Sequence, residues 1–308
     1  MNRKNDNTNE SMLMMNQTTR SALPGHLAAL FTALVWGCTF IASKILLEKW
    51  TPVEILFLRF LLGFIMLILI HPKKPRHLVP RQELYLIGAG LTGVTGYYLL
   101  ENVALTYTLP SVVSVITCTA PFFTAISALL FLKKNKLTRF FFAGFFFAIA
   151  GICLISFSGA EVAFNLTGTF LALAAAMVWG VYSILVEKSS ETGLSTIEMT
   201  QRFFFYGLLF MLPLLRLMDF SPDLSQIFVP RYMVCLLFLG FVASGLCFVT
   251  WNLALSRLGT VEAGVYIYLV PVITMIVSAL VIGEKITASG LSGMILTLAG
   301  LILSHIRR

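Results

Sequence analysis

The chain has 308 residues, 58% of them apolar and only 12% charged, with a formal net charge of +8. Charge at about half the share of an ordinary soluble domain excludes a water-soluble globule. A bilayer crossing takes about 20 apolar residues, so ten crossings would use about 200 and leave no room for a separate catalytic or nucleotide-binding domain.

The leader, Met1 to Gly25, is rich in Asn, Thr and Ser and has little to bury, which predicts a disordered cytoplasmic tail over residues 1–25. It lacks the uninterrupted apolar stretch and small-residue cleavage site of a signal peptide. Hydropathy and breakers then predict helices over 26–48, 52–71, 82–107, 110–132, 138–157, 167–187, 196–216, 231–256, 260–282 and 287–305. Short marked breaks separate them, among them Thr51-Pro52, Leu109-Pro110, Arg257 to Thr260 and Gly283 to Ile286. Cys38, Cys118, Cys153, Cys235 and Cys247 all fall within apolar runs with no metal-ligand spacing, so they read as small buried hydrophobes.

With both termini placed in the cytoplasm, inner segments carry 15 Lys and Arg residues and outer segments 5. That asymmetry fits the positive-inside rule and predicts a multi-pass membrane protein with both termini cytoplasmic. The positive charge is thus a topology signal that favours anionic lipid, and no nucleic-acid partner is expected.

The chain also repeats itself. Trp36-Gly37 and Arg59-Phe60 recur 143 positions on as Trp179-Gly180 and Arg202-Phe203, while Asn102, Ala104-Leu105 and Pro121 recur 150 positions on as Asn252, Ala254-Leu255 and Pro271. Chance does not keep two constant offsets. The expected architecture is an all-α membrane protein of ten transmembrane helices in two five-helix repeats, 26–157 and 167–306. An odd number of helices per repeat inverts one half against the other, a pattern of secondary transporters that alternate access around a midplane site.

At these residues the chain resembles the drug/metabolite transporter superfamily and its ten-helix EamA-like branch of inner-membrane exporters. The resemblance rests on Trp36-Gly37 with Phe40 and Lys44, on Asn102 to Tyr107, on Pro121 and Pro271, and on Gly283-Glu284-Lys285-Ile286-Thr287 before the last helix. The first repeat departs from the pattern, with Lys133-Lys134 where a glutamate like Glu284 is common. The resemblance implies a basket around a central cavity lined by helices one, three, four, six, eight and nine, moving amino acids or related metabolites outward.

The residues themselves describe such a cavity. Thr95, Tyr98, Glu101, Asn102 and Leu105 recur at helical spacing and share one face, too polar for lipid. Helix eight offers Phe248, Trp251 and Asn252, helix one Trp36, Thr39 and Ser43, and helix six Trp179, Tyr182 and Ser183. Aromatic walls with a few polar groups suit a small molecule. The candidate substrate-binding residues are therefore Trp36, Thr39, Tyr98, Glu101, Asn102, Trp179, Tyr182, Ser183, Trp251 and Asn252, against the alternative that the tryptophans pack between helices or form an interfacial belt.

Pro121 and Pro271 are expected to free the carbonyls of Thr117 and Ile267, as hinges or fixed bends. Ser289 with Gly293, and Gly144 with Ala148, read as close helix packing. Glu101 has no basic residue one turn away, so it needs a partner from another helix, a proton or a cationic substrate group, with Lys44 the nearest candidate. Arg59 and Arg202 are read as repeat mates that snorkel or pair.

The chain has no GxxxxGK[ST] loop, HExxH motif or GxSxG elbow, and His26, His71, His77 and His305 sit at helix ends or in loops. No cofactor, metal site or enzyme activity is expected. The leading expectation is a secondary transporter exporting small metabolites, amino acids first, by alternating access driven by protons or by the substrate gradient. The rivals are a lipid or amphiphile flippase, a passive channel, and an intramembrane enzyme on lipid-linked substrates.

Overall fold

Helix starts are written in proline and short polar caps. Thr51 accepts a hydrogen bond from the Glu54 amide at 3.4 Å while the Glu54 carboxylate accepts one from the Thr51 amide at 2.8 Å, and α2 (Pro52–Ile70) starts behind this capping box. Ser195 and Glu198 build the same box before α7 (Thr196–Leu217). Asn165 caps α6 (Leu166–Ser190) through the Gly168 amide, and prolines at 80, 110 and 230 open α3 (residues 80–107), α4 (residues 110–132) and α8 (Pro230–Thr260). The remaining helices are α1 (Arg3–Leu46), α5 (Arg139–Ser156), α9 (Glu262–Val281) and α10 (Ala288–Ser304). This computed structural model describes residues 3–72, 76–132, 138–156 and 165–304. The expected basic positions Lys73, Lys74, Lys133, Lys134, Lys136, Arg307 and Arg308, and the 157–164 stretch expected outside, lie beyond the described residues.

No strand occurs among the described residues, and six helices are long and apolar enough to cross a bilayer: Ala22–Leu46, Pro52–Ile70, Pro110–Phe131, Leu166–Ser190, Pro230–Thr260 and Glu262–Val281. Two shorter apolar helices, Arg139–Leu154 and Ala288–Ser304, accompany them, while α3 and α7 carry charge within their length. The first helix runs from Arg3 through the apolar span that begins at Ala22. No glycine or proline precedes Pro24, and Met, Leu, Glu and Gln between residues 9 and 23 are good helix formers.

The two halves pack as mirror lists of each other. Helix α1 lies along the second halves of α8 and α9, as α6 lies along those of α3 and α4. Helix α2 rests on residues 238–246 of α8, and α7 on residues 90–96 of α3. Both of those stretches are wound wide as π-helix, a local loosening that often marks functional helices. Mates also meet each other: α2 with α7, α4 with α9 and α5 with α10. Between the last two, a methyl at Gly144 would strike the Gly300 carbonyl and one at Gly151 the Gly293 carbonyl. The seam is therefore glycine on glycine, with Ala148 facing Thr297, and the expected close packing of Gly144 and Gly293 is found there.

The packing corrects the repeat register on α2 and α7. Caps Thr51 and Ser195, rings Phe60 and Phe204, and glycines Gly63 and Gly207 correspond at an offset of 144, because a methyl on either glycine would press on the carbonyl of the equivalent residue, Gly240 or Gly90. Arg59 is therefore the mate of Phe203, and the Arg-Phe dipeptide that suggested 143 is a one-residue coincidence. One residue is about 100° of helix, and the two arginines point to different surroundings. Arg202 pairs with Glu83, which also accepts from the Tyr206 hydroxyl, and bonds the Arg76 carbonyl. Arg59 is fully buried.

The longer second connection fills one end of the bundle. Its 3-10 turn, Leu224–Phe228, is capped by Asp223, Ser221 donates its amide to Glu54 at 3.0 Å, and Phe220 packs on Phe57 at 5.4 Å. At the opposite end, Gln201, the mate of Phe57, instead lines a cavity of about 590 Å³ with Phe64, Ile68, Arg76, Glu83 and Phe205. Gly259, at φ 81° and ψ 167°, makes the sharp break between α8 and α9 that the sequence predicts at Arg257 to Thr260. That conformation suits a residue without Cβ.

Candidate functional site

Two helices break at matched places. Helix α4 is interrupted at Cys118 and Thr119, just before Pro121, and α9 at Ile267 and Tyr268, before Pro271. Proline cannot donate a backbone hydrogen bond, and the chain adapts with tighter turns. Thr119 bonds the Ile116 carbonyl at 3.1 Å and Val270 bonds the Ile267 carbonyl at 3.0 Å. The Ile267 carbonyl expected to be free is thus taken.

These breaks line a narrow cavity of about 30 Å³, room for about one water. Thr117, Cys118 and Ala120 come from the α4 break, Ile267 and Val270 from the α9 break, Trp36, Thr39 and Phe40 from α1, Tyr97, Tyr98 and Glu101 from α3, and Trp179 from α6. Broken helices meeting where two repeats face each other is a recurrent way to build a transport site.

The aromatic groups form one cluster. Trp36 meets Trp179 edge to face at 5.3 Å and Trp251 at 5.1 Å, Trp179 meets Tyr97 at 4.7 Å, and Phe248 lies within 6.4 Å of Trp36, Tyr98 and Trp179. Trp36 donates its indole N–H to the Ala243 carbonyl at 3.2 Å, whereas the Trp251 indole N–H has no partner.

Of the candidate residues, Trp36, Thr39, Tyr98, Glu101 and Trp179 line the cavity, and Trp251 packs against it through Trp36. The remaining four are buried but engaged elsewhere. Tyr182 donates to the Asn252 side-chain oxygen at 3.0 Å, Asn252 donates to Thr200 at 2.9 Å, Ser183 bonds the Trp179 carbonyl at 3.0 Å, and Asn102 reaches the Pro52 carbonyl at 3.4 Å. In this conformation Tyr182, Asn252 and Asn102 tie helices together, while Ser183 bonds within α6.

Glu101 is buried, and its Oε1 has no hydrogen-bond partner. Lys44 does not supply one. Its ammonium bonds the Leu105 and Thr108 carbonyls at 2.5 and 3.2 Å, closing the C-terminus of α3 where unpaired carbonyls attract a cation. Glu284 accepts from Ser111 of α4 and Ser278 of α9, so it staples the ends of those helices. The residue that sequence reasoning misplaced is Arg59. Its Nε donates to Ser244 at 2.9 Å, its guanidinium lies 4.4 Å from the Tyr98 ring centre, and Nη1 and Nη2 have no hydrogen-bond partner. The capping boxes, which give the offset of 144, are the sequence signal that separates it from Arg202. Among the described residues no group of three metal-ligating side chains occurs.

The chain matches the EamA-like transporter family over residues 23–157 and 166–306. An uncharacterized transporter of Archaeoglobus fulgidus is 30% identical, covering 91% of this chain and 96% of its own. A probable amino-acid metabolite efflux pump of Salmonella typhimurium is 29% identical over 90% and 93%. A probable terminal-alkyne amino-acid exporter of Streptantibioticus cattleyicolor is 27% identical over 91% and 93%. One solved structure has the same fold, with a TM-score of 0.65 at 20% identity across 93% of this chain and 96% of that one. The duplicated helices, their reciprocal packing and these matches agree: the chain is a multi-pass membrane protein and belongs to the EamA-like transporter family.

Proposed function

We propose that this protein is a secondary active transporter that exports amino acids or related small metabolites by alternating access, driven by the proton gradient or the substrate's own gradient. In this reading it crosses the bacterial inner membrane ten times as two inverted five-helix repeats, with both termini in the cytoplasm. The observation that carries it is the aromatic cavity at two matched helix breaks, with the Glu101 carboxylate, one oxygen of which has no hydrogen-bond partner, on its wall. Aromatic rings supply area for a side chain, and a buried carboxylate with an unsatisfied oxygen and no ion-pair partner among the described residues calls for a cation or a proton. The names of the Salmonella and Streptantibioticus relatives point to amino-acid solutes.

The packing supports alternating access. The two halves make equivalent contacts, so rocking one against the other exchanges the closed end for the open one at modest cost. Lys44 and Glu284, which tie α1, α3, α4 and α9 together at one end, are the groups that must separate when that end opens. The test is transport by the purified full-length protein in liposomes against a panel of amino acids, with and without an imposed pH gradient. Saturable movement of at least one amino acid, faster with a gradient, supports the reading, and no movement of any of them refutes it.

A second reading, an amphiphile flippase, has one observation in its favour. The cavity of about 590 Å³ combines Phe64, Ile68 and Phe205 with Arg76, Glu83 and Gln201, an apolar and a polar end in one space. Scrambling of a labelled phospholipid in the same liposomes, without amino-acid movement, would select it.

A further inference from the structure

Arg59 is the largest anomaly in the molecule. A guanidinium carries five donors, and here only Nε is used on a residue with no exposed surface. Two electron-rich rings partly compensate, Tyr98 at 4.4 Å and Phe60 at 5.3 Å. Three residues along α3 from Tyr98, the Glu101 carboxylate is equally buried and also has an unused oxygen. The free atoms on both sides show that the two charges do not bridge each other directly.

The second repeat carries neither charge at the equivalent positions. At the corrected register Arg59 corresponds to Phe203, and at the offset of 150 Tyr98 corresponds to Phe248 and Glu101 to Trp251. All three mates are buried aromatic residues. The same positions are therefore polar in one half and aromatic in the other. The charges are placed on one side of the cluster, opposite a wall of rings.

We propose that Arg59 and Glu101 form a bipolar anchor for a zwitterionic solute, with Arg59 taking the carboxylate and Glu101 the ammonium of an α-amino acid. The inference rests on the amino-acid reading above and names the residue that would recognise the carboxylate. The guanidinium fork matches a carboxylate in two parallel hydrogen bonds. A solute carrying both charges satisfies both orphaned groups and leaves the site neutral, whereas an amine or an acid alone leaves one charge unpaired. Tyr98 lines the cavity and also lies under the guanidinium, so its ring must move aside to join Arg59 to the cavity. Trp36, Trp179, Trp251 and Phe248 would then hold the solute's side chain.

The test uses the full-length protein in nanodiscs, read by tryptophan fluorescence and confirmed by calorimetry. The probes are L-phenylalanine, L-phenylalaninamide, phenethylamine and 3-phenylpropionate. L-Phenylalanine should bind about 10- to 100-fold more tightly than the amide or the amine, which lack the carboxylate. Arg59→Gln should bring L-phenylalanine down to the level of the amide. If Arg59→Gln does not fold, Arg59→Phe, the residue the second repeat carries at the equivalent place, serves the same purpose. Equal binding of L-phenylalanine and its amide by the unaltered protein, or a preference that survives loss of Arg59, would overturn the anchor while leaving amino-acid transport standing. Failure of all four probes to bind, with no amino acid of the panel transported, would instead remove the amino-acid reading, and the anchor with it.

Discussion

Phe60 and Phe204 meet edge to face, with ring centres 5.0 Å apart at an interplanar angle of 89°, and both are fully buried. They are the same position in the two repeats, so the pair marks the axis on which α2 and α7 cross. Removing either ring leaves a hole that the partner alone cannot fill. Phe60→Ala and Phe204→Ala should each lower stability by about 3–5 kcal/mol, read as a lower melting temperature in detergent. Because they share one contact, the double variant should lose less than the sum. Strict additivity would show that the rings do not support each other.

Much of the fold was legible because a repeat writes each feature twice. Trp36-Gly37 with Trp179-Gly180, and Pro121 with Pro271, gave the correct mates and the matched breaks. The α2 and α7 register was misread because Arg59-Phe60 and Arg202-Phe203 are identical dipeptides, while the features that set register, capping hydrogen bonds and a glycine against a carbonyl, are contacts across helices. For the site, helical spacing found Trp36, Tyr98, Glu101 and Trp179, since shared faces are local geometry. It could not show that Lys44 is used by carbonyls of α3, or that Tyr182 and Asn252 satisfy each other, because those pairings join residues 61 to 70 positions apart.

The loop charges make a topology prediction independent of any substrate. His71 to Arg81 holds four Lys or Arg residues, and Ser158 to Thr167 holds none. A reporter fused after Arg76 or after Lys136 should read as cytoplasmic, and one placed between residues 159 and 165 as external. The opposite readings would remove the proposed inverted arrangement.

Arg202 should behave unlike Arg59. It is bonded to Glu83 and to the Arg76 carbonyl, beside a cavity away from the aromatic cluster. Glu83→Gln leaves Arg202 without its counter-ion and Tyr206 with a poorer acceptor, and should cost about 1–3 kcal/mol of stability. Transport per folded molecule should keep its solute preference. A changed preference among the four phenyl probes would place this cluster on the transport path.

The aromatic cluster should report occupancy. Trp36→Cys or Trp179→Cys, made in a background in which Cys38, Cys118, Cys153, Cys235 and Cys247 are replaced by Ser or Ala, should react slowly with a small thiol reagent and more slowly still with a transported amino acid present. These positions line the cavity and are nearly closed from outside, with exposures of 8% and 4%. Fast labelling that the amino acid does not alter would make the tryptophans packing residues.

Glu101 decides between a coupling role and a structural one. If its carboxylate binds the substrate ammonium or carries the coupling proton, Glu101→Gln keeps the shape and loses both the charge and the titration. The variant should then insert and melt near the unaltered protein, because Oε1 has no bond in the closed form to lose, yet transport should fall at least about 10-fold or lose its dependence on pH. A structural role predicts another pattern. The Gln variant would leave Arg59 as a buried charge without its neighbouring carboxylate and would fold poorly, and Arg59→Phe in the same chain would rescue it. Transport per folded protein, measured across pH for the single and double variants, separates the two. Full activity with an unchanged pH profile would take Glu101 out of the mechanism and leave recognition to Arg59 and the aromatic walls.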